Sequence, residues 1–124
     1  MGMPPSRLAL WLPPLALMGA IFFFSAQPSL DSGLGWIDHI GRKVIHFGEY
    51  ALLTYLCWRA LEPSTNPRRA ALLAFVLASA YAVTDEYHQS FVEGRHGTPV
   101  DWLIDSAGAA AAAWWLSART RTAA

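Results

Sequence analysis

Predominantly apolar stretches alternate with short polar ones along the whole chain. Leu8 to Ala26 is the first, about nineteen uncharged residues, long enough as a helix to cross a hydrocarbon core of roughly 30 Å. A second runs from about Arg42 to Leu61, a third from near Ala70 to about Phe91, and a fourth from about Val100 to Ser117. Between them lie the turn formers Pro28, Ser29, Asp31, Ser32, Gly33 and Gly35, then Pro63 and Pro67, then Gly94, Gly97 and Pro99. The pattern predicts an all-α chain of four helices, at about 8–26, 42–61, 70–91 and 100–117, joined by short loops. Pro13 and Pro14 should kink the first helix near its start rather than end it. A cleaved leader is the rival reading of that first run, but Phe24 would have to serve as a small residue ahead of Ala26, with Pro28 close behind.

Composition turns the helices into membrane crossings. The 124 residues make one domain, 1–124, of which 54% are apolar and 15% charged, against about 25% charged in soluble globules. So small a globule cannot hide that much apolar surface, which makes a lipid bilayer the natural solvent and the expected fold a four-helix transmembrane bundle. Zero formal net charge offers no basic face for nucleic acid. The single cysteine, Cys57, lies in an apolar run and reads as packing, with no disulfide framework and no cysteine-based metal site. Gly108 and the run Ala109 to Ala113 read as close helix–helix packing. Four crossings put both termini on one side. Arg7, Arg59, Arg68, Arg69, Arg119 and Arg121 fall there, and Arg42, Lys43 and Arg95 on the other, a bias that favours cytoplasmic termini. Trp11, Trp58, Trp114 and Trp115 would sit near the inner face and Trp36 and Trp102 near the outer, as an aromatic belt.

Strict alternation brings the start of helix 2, the end of helix 3 and the start of helix 4 to one face. Each carries polar chemistry there. His46, Glu49 and Tyr50 share a face of helix 2 at i, i+3, i+4, with Leu53 continuing it. Asp85, His88 and Gln89 repeat the spacing on helix 3, with Glu86 about 100° round. Asp101 and Asp105 stack at i, i+4 on helix 4, followed by Gly108 and Ala112. Ionisable side chains at membrane depth are costly and normally face the bundle interior, a partner or water. Here Glu49, Asp85, Glu86, Glu93, Asp101 and Asp105 face only Arg42, Lys43, Arg95 and two histidines.

Three readings of this constellation compete. It can be an interhelical network that fixes register, although such a network seldom needs so many unbalanced acids. It can be catalytic, with His88 or His46 as general base or nucleophile, Asp85 or Glu49 orienting it, and Glu86 beside them. Lys43, Tyr50, Gln89, Arg95, Asp101 and Asp105 would then bind the substrate, Arg95 as a planar bidentate partner for a phosphate or another anion. Or it can hold a metal, with His46 and Glu49 facing Asp85, Glu86 and His88, as carboxylate–histidine sites in helical bundles do. His39 and His96 read as solvated loop residues, and Phe22, Phe23 and Phe24 as lipid-facing or packing surface.

The combination Lys43-x-x-His46-Phe47-x-Glu49-Tyr50, then Thr84-Asp85-Glu86-x-His88-Gln89-x-Phe91-x-x-Gly94-Arg95, then Asp101-x-x-x-Asp105-x-x-Gly108 resembles the VanZ-like family of small bacterial membrane proteins. Phe24-Ser25-Ala26-Gln27-Pro28 is similar to the Ser-Ser-Gln-Pro segment that closes that family's first helix, with Ala26 in place of the second serine. The likeness covers about residues 20–108. It implies four helices and a polar site made by the motif residues, in the bacterial cytoplasmic membrane, with no cofactor specified. The family takes its name from a protein associated with teicoplanin resistance and brings no settled activity with it. Two functions are therefore expected. One is recognition or modification of a membrane-associated substrate, lipid-linked or phosphorylated. The other is a non-catalytic accessory role that modulates glycopeptide susceptibility. A transporter is the third, weakened by the absence of acidic residues along the inner halves of the helices.

Overall fold

The computed structural model describes residues 6–25, 36–89, 91 and 99–123, all of them helical or in short connections. In chain order these are α1 (Arg7–Ser25), α2 (Trp36–Leu61), a 3-10 turn (Glu62–Ser64), α3 (Pro67–Gln89) and α4 (Pro99–Ala123). Helices α1 and α3 run one way and α2 and α4 the other. Tyr50 and Trp58 of α2 meet Asp85 and Pro67 of α3 in reverse order, whereas Met18 and Phe22 of α1 meet Tyr81 and His88 of α3 in the same order. Helix α2 packs against all three others, and α1 lies on the α2–α3 edge.

Local chemistry explains the helix ends. Pro67 opens α3 at the position where a missing N–H costs nothing, and the Asn66 side-chain oxygen accepts from the Arg69 amide at 2.8 Å as an N-cap. That cap starts α3 three residues before the expected Ala70. Ser6 does the same for α1, accepting from the Ala9 amide at 3.1 Å. Pro13 and Pro14 are carried inside α1, which continues through them.

Helix α2 begins at Trp36, not Arg42, so Trp36 and Ile37 are helical rather than part of a surface loop, and His39 is not a loop residue. Ile37, Ile40 and Val44 carry the helical period straight through Gly41, whose missing side chain faces open space and breaks nothing. His46 consequently lies ten residues (46 − 36) into α2, about 15 Å from its start, rather than in its first turns. Helix α4 runs on past Ser117 to Ala123, and its last turns gain an i, i+4 contact of the Arg119 guanidinium over the Trp115 ring, 4.9 Å from the centroid. The α3 end at Gln89 falls two residues short of the expected Phe91.

Small residues set the helix spacing. Ala70, Ala74, Ala78 and Ala82 recur every fourth residue on α3 and are all fully buried. With Ala74, Ala78 and Ala82 pack Tyr50, Leu53 and Cys57 of α2, Ile21 of α1 and Ala109 of α4. Gly108 is the tightest point: a Cβ there would overlap the Phe47 carbonyl oxygen and stand 3.0 Å from its carbon. Only glycine lets α4 approach the α2 backbone so closely.

Candidate functional site

Helix α2 supplies two polar side chains one turn apart, and each reaches a different neighbour. His46 Nδ1 lies 3.2 Å from Asp105 Oδ1 of α4, and the Tyr50 hydroxyl donates to Asp85 Oδ2 of α3, also at 3.2 Å. Both carboxylates are 1% exposed and Tyr50 is fully buried. A charge so far from water persists only when it is paired and hydrogen-bonded, so the α2 partners are a condition of these acids being there. The close α2–α4 approach at Gly108, one turn beyond Asp105 (i+3), brings α4 near enough for the His46 contact.

Glu49 is half-buried and within electrostatic reach of His46, Asp85 and Asp105. Three helices thus bring three carboxylates, an imidazole and a phenol together. Glu86 turns partly inward, half-buried with its Oε1 shielded from solvent. Lys43 is half-buried on α2, one turn before His46.

His88, which the helix spacing puts on the Asp85 face, has a further neighbour on α1. It turns towards α1 and stacks on Phe22 with ring centroids 3.9 Å apart, its Nδ1 buried and without a hydrogen-bond partner among the described residues. Phe22 therefore packs in part, while Phe23 stays 60% exposed. The side chains of Gln89 and Asp101 and the whole of Arg95, Glu93 and His96 lie outside the described residues. Among the described residues, no three His, Cys, Asp or Glu side chains gather as a metal-ligand set.

Sequence reasoning passed over Tyr81 and Thr54, which frame the cluster. Tyr81 lies one turn before Asp85, its ring 6.3 Å from that of Tyr50, and its hydroxyl donates to the Met18 carbonyl of α1. Thr54 is fully buried and donates back to the Tyr50 carbonyl at 2.8 Å. The spacing of Tyr81 four residues before Asp85 was the available signal. Two of the tryptophans bridge neighbouring helices. Trp102 Nε1 donates to the Ser79 carbonyl at 3.3 Å and Trp58 Nε1 to the Pro67 carbonyl at 3.0 Å, so each links two helices.

Fold and site together define a small all-helical bundle that encloses a pair of carboxylates, each held by a side chain of one central helix. The chain belongs to the VanZ/LLP1 family, whose model matches residues 10–119. The match extends the likeness carried by the three motifs to nearly the whole chain. No curated protein and no solved structure matches it.

Proposed function

We propose that the bundle spans the bacterial cytoplasmic membrane four times, with both termini inside, and uses the Asp85–Asp105 centre to recognise or modify a membrane-associated substrate. The exterior supports the membrane setting. Leu8, Leu12, Phe23, Val44, Leu72, Val76, Val83, Leu103 and Trp114 are all more than half exposed, and they come from all four helices. Water would penalise such a surface and lipid would not. Helix α3, over Pro67–His88, is the one described helix long and apolar enough by composition to cross a membrane, and α1 adds a shorter apolar stretch, Arg7–Phe23.

The observation that carries the functional reading is the pair of buried acids, Asp85 and Asp105, set against one imidazole and one phenol. His46 between Asp105 and Glu49 can accept or return a proton at its ring, the role of a general base or acid. Tyr50 holds Asp85 in place. Arg95, Gln89, Asp101 and Lys43 are the proposed substrate contacts, and a lipid-linked or phosphorylated compound is the proposed class. Comparison of envelope lipids by mass spectrometry, with and without the gene, tests it. A lipid that accumulates in the deletion strain and disappears on complementation is the expected result.

One observation favours a second reading. Asp85 and Asp105 are engaged and sealed from solvent as they stand. A non-catalytic accessory protein, modulating glycopeptide susceptibility through its outer face, needs no exposed acid. Unchanged lipids together with altered teicoplanin susceptibility would select that reading.

A further inference from the structure

A second feature lies at the opposite end of the bundle, where α3 begins and α4 ends. A groove of about 270 Å³ opens there between the two helices, lined by Arg68, Leu72, Phe75, Ala113, Trp114 and Ser117. Its polarity is graded. Arg68, Leu72 and Phe75 follow one another at i, i+4, i+7 along α3, and Ala110, Ala113 or Trp114, and Ser117 along α4. Because the helices are antiparallel, Arg68 near the start of α3 and Ser117 near the end of α4 both belong to the groove's outer end, with apolar walls behind them.

Arg68 is exposed and has no carboxylate partner among the described residues. Trp114 and Leu72 stand 73% and 62% exposed beside it, so the walls are open to whatever surrounds the bundle. A cation at the mouth of an apolar slot is complementary to one kind of membrane component. We propose that the groove seats an anionic phospholipid of the leaflet at the chain-terminal end, with its phosphate at Arg68 and Ser117 and the start of an acyl chain along Leu72 and Phe75. A guanidinium suits a phosphate because its donors are planar and forked, and it is less strongly hydrated than an ammonium. The slot is too small for a whole lipid and fits the phosphate end with the first stretch of one chain. This inference rests on the bundle lying in a bilayer, and it is independent of the chemistry proposed for the Asp85–Asp105 centre.

The test uses the full chain in nanodiscs and in detergent. Insertion into phosphatidylcholine nanodiscs reports on the membrane setting alone, and a chain that stays outside them overturns both that setting and the lipid site. For the inserted protein, native mass spectrometry in detergent measures binding of phosphatidylglycerol against phosphatidylcholine. Phosphatidylglycerol should bind more tightly, and Arg68→Gln should weaken it by about 10-fold, the loss of one charge-assisted contact. Ala113→Leu, which fills the slot without touching charge, should weaken both lipids. Arg59→Gln removes an exposed cation of α2 that does not line the groove and should leave the preference intact. Equal binding of the two lipids, or equal losses in Arg68→Gln and Arg59→Gln, would overturn the proposal in favour of general surface attraction.

Discussion

Tyr50 shows how much one residue does here. Its ring fills the core between α2 and α3, its hydroxyl donates to Asp85, and its carbonyl receives Thr54. Tyr50→Phe keeps the ring and removes only the donor to a buried carboxylate. It should cost about 1–3 kcal/mol of stability, measurable by chemical denaturation in detergent. The His46–Asp105 pair makes a parallel case, since each partner sits in a different helix. A double-mutant cycle with His46→Gln and Asp105→Asn should give a double-mutant loss smaller than the sum of the single losses, a coupling of about 0.5–3 kcal/mol, because the groups are in direct contact. Gly108 is a third case, where absence of a side chain is the function. Gly108→Ala forces the Phe47 backbone aside and should cost at least the roughly 1–3 kcal/mol of an overpacked core, with loss of the His46–Asp105 contact. The motif residues were legible one by one, since His46, Glu49, Tyr50, Asp85 and Asp105 stand out as polar positions in apolar runs. The surroundings of His88 were not legible in the same way. Helical spacing puts it near the Asp85 face, but it cannot show that α1 offers Phe22 as a flat surface for the imidazole.

At the scale of elements, hydrophobic runs located the four helices and misjudged some of their ends. The start of α2 was hidden because the turn formers up to Gly33 and Gly35 suggested a loop that runs on as far as Gly41. Glycine at position 41 is only a weak helix position, which the flanking isoleucines override. The extra turns of α4 were concealed by its arginines, which suit a helix C-terminus as well as a loop. The stripe Ala70, Ala74, Ala78, Ala82 was also in plain view, but alanine is common in helices, and only packing distinguishes a seam from a neutral surface. The topology proposed from alternation has its own check. A cysteine introduced as Gly94→Cys, between α3 and α4, should react with an impermeant reagent added to intact cells. Cys57 will not interfere, being 3% exposed. Labelling only after permeabilisation would turn the bundle over.

For the molecule as a whole, the unusual feature is how many large apolar side chains remain on the outside. Large apolar side chains stand exposed on all four helices, while two acids, Asp85 and Asp105, are buried beside an otherwise apolar core. In the bilayer setting proposed above, helices would gain little from hiding apolar surface, and small-residue seams and buried hydrogen bonds would hold them together. The same hydrogen bonds form the candidate site, which makes structure and function hard to separate by deletion. Asp85→Asn separates them. Asparagine keeps the shape and still accepts from Tyr50, but it cannot take up or release a proton at neutral pH. Purified Asp85→Asn should therefore insert and unfold like the wild type, within about 1 kcal/mol. In a deletion strain it should fail to clear the lipid that the wild-type chain clears. A variant that inserts normally and clears the lipid at the wild-type rate would contradict the account, leaving Asp85 as a part of the bundle's framework.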